Sequence, residues 1–239
     1  MSDTPLQIGL LLFPNITQLD LTGPFEAFAR IPGARVHVVW KRIEPVVSDV
    51  GLQLLPTTTF ADCPRLDVIC VPGGPGQVDL MDDADVIEFV RRQGETARYV
   101  TSVCTGALVL GAAGLLQGYE AATHWASMDN LPYFGAKPVA KRIVVDGNRI
   151  TGGGVTAGID FGLYVASLLA DRATAEKIQL FLEYDPEPPF AAGSPQTAPQ
   201  AVVRELRAAI APMLERRKAA TIRAAGRLSS SVAANTGAE

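Results

Sequence analysis

The sequence predicts an α/β protein in which helices cover both faces of a mostly parallel β-sheet. Continuous apolar runs, typical of strands that are buried on both faces, alternate along the chain with segments of helical spacing. This alternation is characteristic of a parallel sheet with crossover helices. The chain has 239 residues, of which 48% are hydrophobic, and this is enough for one such domain with a substantial core.

The first half of the chain supplies the regular alternation. Strands are predicted at the four apolar segments 7–13, 34–40, 66–72 and 98–103. Helices are predicted at 17–30, 84–97 and 105–116. Residues 51–60 predict a short strand or hairpin arm followed by a turn, and a glycine-rich turn, 73–76, comes directly after the third strand.

The second half is less regular. A hairpin is predicted over 142–150 around the turn Asp146-Gly147-Asn148. A helix over 159–170 is apolar almost all round and is therefore predicted to be buried, and another helix is predicted over 173–184. Residues 185–199 contain too many prolines for regular structure, so we expect an ordered surface connection or an arm that reaches another subunit.

The C-terminal region is predicted to form one helix and a tail. The helix covers 201–222, and the basic residues expected on its solvated face are Arg204, Arg207, Arg216, Arg217 and Lys218. The expected organisation is thus an α/β domain over 1–199, a C-terminal helix over 200–226 that packs on the domain or on a dimer partner, and a disordered tail over 227–239.

Composition excludes several classes of function. The net charge of -4, with 19% charged residues, offers no electrostatic case for a nucleic-acid partner. The longest apolar runs fall short of the roughly 20 residues that a bilayer needs, so no membrane association is expected. Because the N-terminus lacks the features of a signal peptide and the three cysteines are an odd number, we expect a cytoplasmic protein without a disulfide framework.

Cys104 stands between a predicted strand that ends at Val103 and a predicted helix that begins at Thr105. Sites in parallel α/β sheets lie beyond the carboxyl ends of the strands. The N–H groups and the dipole at a helix N-terminus favour a thiolate, so we expect the pKa of Cys104 to fall and its sulfur to act as a nucleophile. An inert buried cysteine is the alternative, and it is the interpretation that we favour for the mid-strand Cys70.

Glycines after the neighbouring strand are predicted to lie at the same edge of the sheet. The N–H groups of Gly74 and Thr105 would hold negative charge that develops near the sulfur. Neither glycine-rich segment fits the G-x-G-x-x-G pattern, so a dinucleotide cofactor is not expected. No metal site is expected either, because the cysteines and histidines lack the spacing of ligands.

A thiol nucleophile needs a proton partner, and two residues are candidates. Asp20 follows the first strand in an apolar setting, which favours the protonated carboxyl and lets it exchange a proton near neutral pH. A capping role is the commoner fate of such an aspartate. His124 is the other candidate, although a structural role is favoured for it. An adjacent Cys-His pair is absent, because Thr105 follows the cysteine.

Three motifs resemble the ThiJ/PfpI superfamily, whose fold is like that of the class I glutamine amidotransferases. They are PGG at 72–74, the SVCTG elbow at 102–106 and TGGGVTAGIDF at 151–161. The resemblance covers nearly the whole chain and implies a flavodoxin-like three-layer α/β/α sandwich with a nucleophile elbow. The last two motifs are also similar to the sensory domains of AraC-type regulators.

Within the superfamily, the chain resembles the members that hydrate isonitriles (isocyanides) to N-substituted formamides, in LLFPNITQLDLTGP, THWA and LEYDPEPPFAAGSP. This resemblance implies a cofactor-free hydro-lyase whose substrates are an isonitrile and water. Cys104 would attack the isonitrile carbon, Asp20 would donate and accept protons, and Gly153 would help to shape the pocket. An ionised Asp20 would raise the pKa of Cys104, so the two groups are expected to share one negative charge.

Two other functions stay open. A ligand-sensing domain of the AraC type is disfavoured, because the chain after Pro199 is too short for a supported recognition helix. Glyoxalase or deglycase chemistry is opposed only by Asp20 and by Thr105, where such members often have histidine. A homodimer is expected, because one domain would leave apolar residues of the arm and the last helix uncovered, namely Phe190, Val202, Val203, Leu206 and Ile210.

Overall fold

A seven-stranded sheet forms the centre of the protein. The computed structural model describes residues 5–236, with side chains as far as Ser230. The strands in chain order are β1 Leu6–Leu11, β2 Ala34–Trp40, β3 Val46–Val47, β4 Gln53–Leu54, β5 Thr58–Thr59, β6 Val68–Val71, β7 Tyr99–Val103, β8 Glu120–Ala121, β9 Lys137–Pro138, β10 Ile143–Asp146 and β11 Arg149–Gly152.

Helices flank this sheet, as the sequence predicts for a mostly parallel α/β fold. They are α1 Gln18–Phe28, α2 Gln77–Leu80, α3 Ala84–Thr96, α4 Gly106–Ala112, α5 Ala157–Leu169, α6 Arg172–Phe181 and α7 Gln200–Thr236, with a run of 3-10 turns over Trp125–Phe134. Helices α1, α5 and α6 pack together in one layer, whereas α3 and α4 contact each other, and α7 packs on α2, α4 and the 3-10 segment.

The order of the strands creates a crevice at the carboxyl edge of the sheet. The order is β10-β11-β7-β6-β1-β2-β5, and within this sheet only the β10–β11 pair is antiparallel. Strands β3 and β4 form a separate two-stranded sheet, as do β8 and β9. From β1 the chain builds β2 and β5 on one side, and then returns to place β6 and β7 on the other side of β1. Ligands of open α/β sheets bind at such a switch point, so the segments that follow β1, β6 and β7 are placed together at the candidate site.

Glycines allow α5 to pack closely against α1, the helix that carries Asp20. A Cβ atom added to Gly162 would lie 3.0 Å from the Cβ atom of Ala27 and 3.1 Å from the Cα atom of Pro24. A Cβ atom added to Gly158 would lie 3.1 Å from Cδ of Pro24. The TAGIDF motif therefore supports the segment that holds the candidate carboxyl group, although the two are far apart in sequence.

Two predicted helices differ from the observed ones. Helix α4 ends at Ala112 instead of 116, because Gly114 adopts a φ of 77° that a continuing helix cannot accommodate. The prediction that helix α5 is buried is wrong for one face, because Tyr164 is 38% exposed, whereas the residues that pack on α1, α6 and the sheet are buried.

The C-terminal helix differs most from the prediction. Helix α7 extends to Thr236 and so includes 227–236 of the segment for which a disordered tail is predicted, while 237–239 lie outside the described residues. The prediction that Arg217 lies on the solvated face is also wrong. Arg217 is only 3% exposed, because α7 packs on α2 and the 3-10 segment along the side that carries this residue.

Candidate active site

Three neighbouring strands bring the candidate residues to one place. Asp20 lies in the first turn of α1 after β1, Gly73 and Gly74 follow β6, and Cys104 follows β7. The side chain of Asp20 is fully buried, and Cys104 is 5% exposed. The structure thus unites the cysteine, the aspartate and the glycine turn, as the sequence predicts.

A strained turn presents the Cys104 side chain. Its φ of 55° lies in the left-handed region, which is rare for residues other than glycine. The Cys104 N–H donates to the Gly152 carbonyl (3.0 Å), and the Thr123 hydroxyl donates to the Cys104 carbonyl (2.8 Å). A Cβ atom on Gly106 would lie 1.9 Å from the Val71 carbonyl oxygen, so only glycine permits this close approach.

The Asp20 carboxyl group is held by one backbone donor and faces the thiol. Its Oδ2 atom accepts the Gly73 N–H at 2.9 Å, and its side chain interacts with that of Cys104. Within the described part of the chain, no group hydrogen-bonds to the buried Oδ1 atom. This oxygen is therefore available to exchange a proton with a neighbouring group.

Burial sets the protonation of this pair. It raises the pKa of Asp20 to about 7, although the Gly73 N–H and the Cys104 side chain act in the opposite direction. Burial also raises the pKa of Cys104 well above its usual value, and the charge of Asp20 raises it further. The prediction that the pKa of Cys104 falls is wrong, because the Thr105 N–H at the helix start lowers it by less than burial and Asp20 raise it.

The two predicted backbone donors differ in availability. The Thr105 N–H lowers the pKa of Cys104 and can therefore stabilise negative charge on the sulfur. The Gly74 N–H instead donates to the Thr105 hydroxyl at 3.0 Å and is not free in this arrangement. Gly73, which the sequence reasoning did not single out as a donor, takes the role of holding Asp20. A Cβ atom on Gly73 would lie 2.9 Å from Oδ2 of Asp20.

The other predicted residues lie around this centre. The Cys104 N–H donates to the Gly152 carbonyl, whereas the N–H of the predicted pocket residue Gly153 donates to the Arg142 carbonyl at 2.9 Å. His124 caps the 3-10 segment by accepting the Ala126 N–H on Nδ1 at 3.3 Å. Burial lowers the pKa of His124 to about 4, with a further contribution from Arg217, so its imidazole is neutral near pH 7.

Arg217 is the charged residue near this site that sequence reasoning placed elsewhere. Its Nε atom donates to Oε1 of Gln77 at 3.0 Å, and its Nη1 atom donates to Oγ of Ser127 at 3.1 Å. Its positive charge acts on Cys104 and lowers the pKa of the thiol, although by less than burial raises it. Helical spacing alone could have placed Arg217 on a different face from Arg216, but not in contact with residues 77 and 127.

Two cavities lie away from the cysteine. One of them, about 350 Å³, lies between α3, α4 and α7, and the other, about 70 Å³, lies between Trp125, the arm and the start of α7. Neither is lined by Cys104 or Asp20. Over the described residues, no cluster of three or more histidine, cysteine, aspartate or glutamate side chains could hold a metal ion. No helix in the same part of the chain is long and apolar enough to cross a membrane.

Comparison with known proteins gives consistent matches over most of the chain. The model of the DJ-1/PfpI family matches residues 7–168. Isonitrile hydratase of Pseudomonas putida is 60% identical over 223 residues, which cover 93% of this chain and 98% of that protein. The HTH-type transcriptional regulator GbdR of Pseudomonas aeruginosa is 30% identical over 189 residues, which cover 76% of this chain but 51% of the regulator.

The solved structures agree with these sequence matches. The crystal structure of a ThiJ/PfpI family protein from Pseudomonas syringae superposes with a TM-score of 0.89 at 46% identity, covering 91% of this chain and 90% of that one. The crystal structure of Schizosaccharomyces pombe DJ-1, at 16% identity and a TM-score of 0.66, shares the fold.

Proposed function

Because this chain belongs to the DJ-1/PfpI family, whose model covers most of it, we propose that it hydrates isonitriles to N-substituted formamides. Cys104 is the nucleophile and Asp20 is the acid and base. The observation that carries the proposal is the buried contact between these two side chains, in which the pKa of the carboxyl is raised to about 7. A group that titrates near neutral pH can both give and accept a proton in one reaction cycle.

The first half of the reaction forms a covalent thioimidate. In the starting state, Asp20 and Cys104 together carry one negative charge and one proton. The sulfur bonds to the terminal carbon of the isonitrile while Asp20 takes the thiol proton and delivers it to the same carbon. The product is a thioimidate, R–N=CH–S–Cys104, and Asp20 is again a carboxylate. The Thr105 N–H stabilises the sulfur while it carries negative charge.

The second half hydrolyses the thioimidate. Asp20 removes a proton from a water molecule, whose oxygen bonds to the thioimidate carbon, and the proton passes to the substrate nitrogen. The carbon–sulfur bond then breaks as the hydroxyl proton returns through Asp20 to the sulfur. One isonitrile and one water give one formamide, R–NH–CHO, and both side chains recover their starting protonation.

The burial of Cys104 supports this choice of substrate. The side chain is 5% exposed, so a bulky group cannot approach it without rearrangement. The isonitrile carbon ends a slender, linear and uncharged group. His124 is neutral near pH 7, and the residue that follows the cysteine is Thr105 and not a histidine. Asp20 is therefore assigned as the proton donor for this reaction.

Conversion of a simple aryl isonitrile tests the proposed function. We expect the purified protein to form the corresponding formamide, followed by its formyl proton in NMR spectra, and to leave methylglyoxal unchanged. A folded protein with a reactive Cys104 that forms no formamide would contradict the hydratase proposal. Turnover of methylglyoxal without formamide formation would favour the glyoxalase alternative.

We also propose a homodimer that covers the arm and the start of α7. Phe190 is 79% exposed, Val202 49% and Leu206 46%, so these side chains leave apolar surface in water in a single chain. Sedimentation equilibrium is expected to give twice the mass of the chain, and Phe190→Asp combined with Leu206→Glu is expected to shift the protein towards monomer. Glu95→Gln on an exposed face is the control. A monomeric wild type at micromolar concentration would refute this proposal.

A further inference from the structure

The buried guanidinium of Arg217 differs from the other paired arginines of the last helix. Among the described residues, Arg216 pairs with Asp79, and both Arg223 and Arg227 pair with Asp82. Arg217 is the most buried of them, yet the hydrogen-bond acceptors described for it, Gln77 and Ser127, are uncharged.

Burying an arginine in this way is costly unless an opposite charge lies nearby. An ion removed from water loses hydration free energy, and neutral acceptors recover only part of it. Gln77 and Ser127 are themselves fully buried, and Nε2 of Gln77 has no hydrogen-bond partner within the described part of the chain. The protein therefore maintains a positive charge in a poorly solvated polar pocket.

The ionisable groups around this charge are those of the active site. Cys104 and His124 interact electrostatically with Arg217, and the charge of Asp20 raises the pKa of Cys104. The charge of Asp49 in turn raises the pKa of Asp20. Since His124 is neutral, Arg217 is the cation that interacts with the sulfur of the pair formed by Cys104 and Asp20.

We infer that Arg217 supplies the counter-charge for the anion that Cys104 and Asp20 share, and so acts as a positioning residue in the proposed hydration. It does not touch the reacting atoms and acts through the sulfur. The inference rests on the proposed function only for its catalytic consequence, because the reactivity of the thiol can be measured without an isonitrile. The C-terminal helix is then part of the machinery of the α/β domain.

The test is the pH dependence of Cys104 alkylation by iodoacetamide, followed by mass spectrometry of the peptide that contains Cys104. This readout separates it from Cys63 and Cys70, whose pKa values burial raises to about 11 and about 12. Arg217→Gln is expected to move the midpoint upward by about one pH unit, as the loss of a nearby opposite charge does. With an isonitrile, kcat is expected to fall about tenfold with KM little changed.

Two further variants separate charge from packing. Arg216→Gln removes an exposed arginine from the adjacent position of the same helix and is expected to leave both readouts unchanged. Arg217→Lys keeps the charge but not the paired hydrogen bonds, so its midpoint is expected to stay within about half a unit of the wild type. If Arg217→Gln does not fold, the Arg217→Lys variant provides the test. An alkylation midpoint of Arg217→Lys that is shifted upward by a unit or more would then overturn the inference.

The outcomes distinguish this inference from the proposed function. Superimposed alkylation profiles of the wild type and a folded Arg217→Gln variant would overturn the role of Arg217, whether or not isonitriles are converted. An upward shift in a protein that converts no isonitrile would support the role of Arg217 and contradict only the hydratase proposal.

Discussion

Cys104→Ala is expected to abolish formamide production, with kcat/KM lower by about 10⁴-fold or more. Without the sulfur no thioimidate forms, and Asp20 alone cannot supply the carbon with a nucleophile. The rate is measured under conditions in which Cys104→Ala is shown by circular dichroism to be folded. Alanine keeps the Cβ atom that the left-handed backbone at this position already accommodates, so a large change in stability is not expected.

The matched control is the half-buried Cys63, which lies away from the carboxyl edge of the sheet. Cys63→Ala removes a thiol whose pKa burial raises to about 11, and it should keep the wild-type rate. If Cys104→Ala still produces formamide at more than a tenth of the wild-type rate, the covalent mechanism is refuted. The proposal that the protein hydrates isonitriles would then still stand.

Asp20→Asn is expected to lower kcat by about 10²- to 10⁴-fold, the range that general acid–base catalysis contributes. Asparagine can still accept the Gly73 N–H, so the turn keeps its contact, but it cannot deliver or remove a proton. The wild-type rate is expected to rise as the pH increases through about 7, where the pair loses its first proton. The activity should stay constant well into the alkaline range, because the pKa of Cys104 is raised.

The same variant should change the pH dependence of stability. The folded-state pKa of Asp20 is raised from 3.8 to about 7, so this carboxyl adds no pH-dependent penalty while it is protonated in both the folded and the unfolded state. The free energy of unfolding of the wild type should therefore fall, relative to that of Asp20→Asn, as the pH rises from 4 to 7. Urea denaturation at several pH values measures this difference. A constant difference, or one that changes in the opposite direction, would refute the assigned protonation.

Much of the fold follows from local pattern. Strand β2 has the predicted bounds 34–40, and the β10–β11 hairpin turns at the predicted Asp146-Gly147-Asn148. Helix ends are less predictable, because a single backbone angle decides them. At Gly114 a positive φ terminates α4 although the apolar residues continue to 116.

The sequence by itself determined the chemical groups of the candidate site and the sheet edge at which they meet. The carboxyl ends of parallel strands coincide, so residues that follow β1, β6 and β7 are brought together wherever they stand in the chain. This reasoning found Asp20, Cys104 and the glycine turn, and the raised pKa of a carboxyl in an apolar setting.

Only the tertiary structure decided the electrostatics of that site. The pKa of a buried thiol depends on every charge and dipole packed around it, and the fall expected from a helix N-terminus is outweighed by burial and by Asp20. Hydrogen-bond assignments also depend on packing, which gives the Gly73 N–H to Asp20 and the Gly74 N–H to Thr105. The burial of Arg217 needs contacts with residues 77 and 127, and no local pattern in α7 specifies such distant partners.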